Sequence, residues 1–190
     1  MMQILLHNRK NGVSRESLEE MLFGDRDIKN IHHTMQSVIY NAKNKLRKAG
    51  LPIANYIRME KGVFYWTDDI LVVEDAAEFD RLYKEAQEEK DINAKLQILL
   101  EACHCYTGEF LSMYAGVMWA AAEARRYREQ FCQCVEKAAE ILRDRQDYLQ
   151  LEQLGTYASS IAPFSDWESL TMEALIGMGR YEEAGSLYAE

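Results

Sequence analysis

Between Ile28 and Ala49 the apolar side chains Ile31, Met35, Val38, Ala42, Leu46 and Ala49 recur at intervals of three and four residues, which places them on one stripe of an α-helix. At about 100° per residue the opposite side carries His33, Ser37, Tyr40, Asn44 and Arg47, flanked by Gln36, Lys43 and Lys48. That face is polar, rich in hydrogen-bonding groups and positively charged toward its end, where Gly50 and Pro52 stop the helix. Ahead of it, the apolar segment Met1 to His7 runs into a polar turn, Asn8 to Gly12, with Gly12 available for a positive φ. Ser14 stands as the N-cap of a helix carrying Leu18, Met21 and Leu22, and Gly24 closes it. Ser17 occupies the position at which a full capping box has an acid or amide. Downstream, Tyr56 to Met59 and Val63 to Trp66 read as short β runs joined by Glu60-Lys61-Gly62. Residues 1–70 therefore predict three helices and a small β hairpin, the layout of a winged helix-turn-helix.

From Val73 onward no strand pattern appears. Helical blocks rich in Ala, Leu, Glu, Gln and Arg follow one another, broken at Lys90-Asp91, Gly108, Asp144 to Asp147, Pro163-Phe164-Ser165 and Gly177 to Gly179. Phe79, Leu82, Tyr83 and Ala86 form one stripe, and Leu96, Leu99, Leu100 and Cys103 another. A long helix is predicted from about Met118 to Arg143, with Trp119, Tyr127 and Phe131 near one face and assigned to the core. Asp147-Tyr148 and Arg180-Tyr181 lie 33 residues apart, each opening a helix after a polar break. That spacing is close to the 34 or so residues of a tetratricopeptide hairpin. The chain as a whole is expected to be mainly α, with residues 71–190 an all-α tetratricopeptide-like helical repeat domain.

Charge divides along the same line. The 190 residues have a formal net charge of −9, but residues 1–73 carry 11 Lys+Arg against 8 Asp+Glu, a balance of +3, and residues 74–190 carry 11 against 23, a balance of −12. Over residues 26–66 the count is 8 against 2, or +6, so a polyanion is attracted locally despite the total. With 48% hydrophobic residues the chain has enough apolar surface to fold. No run approaches the roughly 18 apolar residues of a membrane span, and the first residues lack a signal peptide's apolar core, so a cytoplasmic protein with no membrane contact is expected.

Catalytic chemistry finds no foothold. No Ser/His/Asp or Cys/His set and no glycine-rich phosphate loop is readable, and His32 and His33 have no matched carboxylate or nucleophile. Paired acids such as Asp68-Asp69 and Glu88-Glu89 read as helix-flanking or solvated charges. Cys103-His104-Cys105 and Cys132-Gln133-Cys134 invite a metal, but helical positions two apart point about 200° away from each other and cannot chelate one ion together. Reduced thiols packed between helices are expected instead, with no metal, no cofactor and no enzymatic activity.

In order along the chain, these segments resemble the bacterial transcriptional activators of the antibiotic-regulatory-protein (SARP) type. The resemblance rests on Val13-Ser14-Arg15-Glu16-Ser17-Leu18, Asn44-Lys45-Leu46-Arg47-Lys48 and Gly62-Val63-Phe64-Tyr65. In the second half it rests on Asp75-Ala76-Ala77-Glu78-Phe79, Tyr106-Thr107-Gly108-Glu109-Phe110-Leu111, Trp119, Met172-Glu173-Ala174-Leu175 and Gly179-Arg180-Tyr181-Glu182-Glu183-Ala184. It implies a winged helix joined to a tetratricopeptide-like bacterial transcriptional activator domain. It also implies a small sheet before the first helix and a pairing helix beyond the last, so the chain is expected to be a fragment cut at both ends. The Trp-Pro pair common after the family's second helix is replaced by Phe23-Gly24.

The implied activity is activation of transcription from double-stranded DNA, with contacts to RNA polymerase or its sigma factor, often as a homodimer. A helix fits the major groove of B-DNA, where polar side chains reach base edges and cations contact phosphates. His33, Gln36, Ser37, Tyr40 and Asn44 are the residues suited to bases or sugars. Lys43, Arg47 and Lys48 suit phosphate, with Arg58 and Lys61 offered by the wing. The competing expectation is a protein-interaction scaffold built on the helical repeats, whose winged helix does not touch DNA.

Overall fold

The computed structural model describes residues 1–24, 28–51, 55–67, 70–163 and 166–188. Pro52, Asp68, Asp69, Phe164 and Ser165, named above as helix breaks or paired acids, lie outside the described residues. The chain forms two compact units, Met1–Val72 and Val73–Glu190.

In the first unit, α1 (Met2–His7) buries Ile4 and Leu5. Its exit turn depends on Gly12. That residue has φ +69°, and a Cβ there would fall 2.5 Å from the Tyr65 ring. The chain then enters β1 (Val13–Ser14) and α2 (Arg15–Phe23), whose first turn Ser14 caps by accepting from the Ser17 N–H at 3.1 Å. Gly24 follows α2 as its cap, in a right-handed conformation. Helix α3 (Ile31–Lys48) is capped by Asn30, which accepts from the His33 N–H. It ends where Gly50, at φ +82°, lets the Gly50 and Leu51 amides reach back to the carbonyls of Arg47 and Leu46.

The predicted stripe of α3 holds in its middle and fails at its ends. Met35 and Ala42 are buried and Val38 and Leu46 half-buried, but Ile31 and Ala49 are exposed, because α3 is longer than the structure that covers it.

Strands β2 (Ile57–Glu60) and β3 (Val63–Trp66) form an antiparallel hairpin in which Met59 pairs with Phe64 and Glu60 with Val63. Lys61 and Gly62, at φ +49° and +82°, make the two-residue turn with both central residues at positive φ that matches the twist of paired strands. That turn puts Glu60 in the strand instead of the loop. It also leaves Tyr56 ahead of β2, buried against Trp66 at 5.8 Å between ring centroids. The hairpin is joined by β1, giving an antiparallel sheet of order β1-β3-β2.

The second unit is helical throughout its described residues: α4 (Asp75–Glu88), α5 (Ile92–Cys105), a 3-10 turn at Ser112–Tyr114, α6 (Met118–Asp144), α7 (Tyr148–Ile161), α8 (Glu168–Gly177) and α9 (Tyr181–Tyr188). Each α-helix packs on the next in chain order. The core follows the predicted stripes through Phe79, Leu82, Ala86, Leu96, Leu99 and Cys103, and continues through Tyr127, Phe131, Leu142 and Leu151.

The repeat at 33 residues has a structural counterpart. Gln146 and Gly179 both take left-handed backbone, at φ +56° and +76°. After α6, the amides of Gln146 and Asp147 donate to the carbonyls of Arg143 and Leu142; after α8, those of Gly179 and Arg180 donate to Ile176 and Leu175. Both helices thus stop on the same Schellman hydrogen bonds, at positions 33 apart.

Candidate functional site

Helix α3 is amphipathic, and with Met35 and Ala42 buried its polar side is turned outward. His33, Gln36, Ser37, Tyr40, Arg47 and Lys48 are exposed, and the Tyr40 ring is 66% exposed, far more than packing would leave an aromatic. Lys43 and Asn44 are half-buried, and the Lys43 ammonium donates to the Asn55 side-chain carbonyl at 2.9 Å. Lys45, not among the residues expected from the sequence to contact DNA, is also exposed. It belongs with Arg47 and Lys48 in the last turn, where cations also complement the helix dipole.

In the hairpin, Arg58 and Tyr65 are cross-strand partners on the outward face, with the guanidinium 5.5 Å from the ring centroid. Arg58 also lies 3.6 Å from Glu60, so its charge is partly committed. Lys61 projects from the turn and is exposed. The wing is anchored at its tip by the Arg15 amide, which donates to the Gly62 carbonyl at 2.9 Å, a tie made through β1 and invisible to periodicity.

Ion pairs hold six arginines of the second unit, but none of the cations at the end of α3 among the described residues. In the second unit Arg81, Arg125, Arg126, Arg128, Arg143 and Arg180 each form an ion pair with a carboxylate of that unit. Lys45, Arg47, Lys48 and Lys61 form none with any described residue. A cluster of unpaired cations at a helix end, with hydrogen-bonding side chains along the preceding turns, is equipped to bind a polyanion.

Of the sequence Tyr106 to Leu111, Tyr106 lies in the second unit's core and Phe110 packs against it. Tyr106 stacks on Phe131 at 4.6 Å, and Phe110 lies 5.1 Å from Tyr127 and 6.3 Å from Trp119, ring centroid to ring centroid. Tyr127 donates to Asp80 at 3.1 Å, and Arg126 reaches the same carboxylate while also pairing with Glu123. Tyr127 and Phe131 are thus core residues and Trp119 is half-buried at the margin.

Of the four cysteines, Cys103 and Cys134 are buried and Cys105 and Cys132 half-buried, all as free thiols. Burial pushes the Cys134 thiol up to about 12, and pushes Cys103 up as well, with Cys134 adding to the effect. Among the described residues no group of three or more His, Cys, Asp or Glu side chains is gathered to hold a metal ion, and no helix is long and apolar enough to cross a membrane.

The sequence profile of the bacterial transcriptional activator domain matches residues 74–190. The chain belongs to that family. Its bacterial transcriptional activator domain takes in the helices α4 to α9, including the Tyr106–Leu111 turn and both Schellman stops. A comparison with curated proteins gives no match. The family is a transcriptional activator one, and the cationic face described above lies outside the matched residues, in the first unit.

Proposed function

We propose that the chain is a DNA-binding transcriptional activator in which the first unit is a winged helix-turn-helix and the second a tetratricopeptide-like array that contacts the transcription machinery. Helix α3 is the recognition helix. His33, Gln36, Ser37, Tyr40 and Asn44 meet base edges or sugars, Lys43, Arg47 and Lys48 meet phosphates, and the wing adds Arg58 and Lys61. Lys45 joins the phosphate set. RNA polymerase or its sigma factor is the protein partner, met through the acidic helical unit, and homodimerisation accompanies it.

The observation that carries this reading is the cationic end of α3. Lys45, Arg47 and Lys48 gather in its last turn, exposed and without an ion pair to any described residue, on the polar face that also presents Tyr40. The array reading of the second unit is supported by helices that pack in chain order and by helix stops that recur at 33 residues.

Fluorescence anisotropy with labelled duplex DNA tests the DNA half. Affinity falls steeply between about 50 and 200 mM salt, and the double variant Arg47→Ala, Lys48→Ala binds more weakly with a log–log salt slope shallower by about 2. Absent or salt-independent binding removes the proposal and leaves the protein-interaction scaffold.

A further inference from the structure

The inward face of the β2–β3 hairpin reaches beyond the helix that covers it. Ile57 and Met59, two residues apart, share one face of β2, and Phe64, the pairing partner of Met59, lies beside them. Ile57 and Phe64 are buried, yet Met59 is 58% exposed. Together with Met35 and Ile39 of α3, these side chains bound a cleft of about 250 Å³ within the first unit.

The cleft's polar lining contains no acid. It consists of Arg15, His32 and Gln36, without a carboxylate. Arg15 uses its Nε to hold Glu19 at 2.8 Å, and its two terminal nitrogens have no partner among the described residues. His32 and Gln36 are exposed, one turn apart on α3. The exposed Met59 and half-buried Ile39 leave apolar surface open to water beside a guanidinium fork, an arrangement that fits a ligand with an anionic head and a hydrocarbon body. Met59, unbranched and unconfined, can settle against bodies of different shape.

We propose that this cleft binds a small carboxylic acid, its carboxylate on the terminal nitrogens of Arg15 beside His32 and Gln36, its apolar body against Met59 and Ile39, which lie over the buried Met35, Ile57 and Phe64. Gln36 also belongs to the face assigned above to DNA, so an occupant weakens DNA binding. That consequence rests on the DNA reading; occupancy of the cleft does not.

The test uses the full chain with methyl-labelled methionine and octanoate as probe, read by NMR without DNA. Octanoate shifts the Met35 and Met59 methyl signals along a saturable curve. Arg15→Gln weakens it about tenfold, the size of one hydrogen bond to a charged group, and 1-octanol, which lacks the charge, binds the unaltered protein about tenfold more weakly than octanoate. Met59→Gln, at an exposed position that tolerates the change, also weakens octanoate. No saturable shift, equal affinity for octanoate and octanol, or an unchanged affinity in both variants overturns the proposal. A parallel anisotropy titration with duplex DNA separates the two readings. Methyl shifts in a protein that fails to bind DNA uphold the cleft and refute the DNA assignment, whereas DNA binding without methyl shifts does the reverse.

Discussion

A Cβ built on Gly155, in the middle of α7, would fall 2.6 Å from the Thr171 hydroxyl and 2.9 Å from the Thr171 backbone nitrogen. Backbone cannot step aside as a side-chain tip can, so the absence of a methyl group here sets how closely α7 and α8 approach. Gly155→Ala gains about 1 kcal/mol of helix propensity, but the overpacking outweighs it. A net loss of about 1–3 kcal/mol is expected, measured as a fall in urea midpoint with unchanged slope. The buried thiols supply a second prediction at this scale. Cys134 ionises near 9 when unfolded and near 12 when folded. Above pH 9 the unfolded chain releases its thiol proton while the folded one retains it, so stability is intact below pH 9 and declines between 9 and 12. Urea unfolding across that range is expected to show a shallower decline for Cys134→Ala than for the parent, whatever the variant's stability at neutral pH.

At the scale of elements, the Schellman stops after α6 and α8 differ in one respect. Gly179 adopts left-handed backbone without a Cβ, whereas the equivalent residue between α6 and α7 is Gln146. A non-glycine residue there costs about 1–2 kcal/mol, less the greater chain entropy that glycine gives up on folding. Gln146→Gly is therefore expected to stabilise the second unit by about 0.5–1 kcal/mol, and Gly179→Ala to destabilise it by about 1 kcal/mol; thermal unfolding of both variants checks the pair. The same residues explain what the sequence could disclose. Long elements such as α6 and the middle of α3 carry several turns of periodic apolar residues, and the 33-residue recurrence of polar-Tyr pairs marked real helix starts at Tyr148 and Tyr181. Strand β1 is two residues long, too short for any period, and exists only because Val13 and Ser14 pair with Phe64 and Val63. The exposed polar face of α3 was legible from rotation about its axis. The capture of Lys43 by Asn55 was not, because it depends on chain segments brought together by folding. The cleft beside Met59 was hidden for a related reason, since an alternating strand pattern marks an inward residue without saying whether anything covers it.

On the scale of the whole molecule, charge and packing are partitioned together, and this makes the function testable without knowing the operator. The first unit has its own small core around Leu18, Met35, Phe64 and Trp66, and the second a larger core running from Phe79 to Ala174. A core within 72 residues buries a smaller share of its surface than one within a larger unit, so the first unit is expected to unfold at lower urea, in a separate transition. The three tryptophans divide between them: Trp66 reports on the first unit, and Trp119 and Trp167 on the second. Fluorescence of a Trp119→Phe, Trp167→Phe variant therefore follows one transition and that of Trp66→Phe the other, each compared with itself with and without duplex DNA. A ligand that binds only the folded form of one unit stabilises that unit by about 2.7 kcal/mol at a hundred times its Kd. If the unpaired cations of α3 are the DNA contacts, the Trp66 transition moves up by that amount at low salt and loses most of the gain at high salt, as the affinity itself falls. The Trp119 and Trp167 transition stays in place, since a unit of charge −12 repels the polyanion. A shift in the second transition alone would move the nucleic-acid contact to the helical array, and no shift in either would leave the first unit a structural partner of the activator domain.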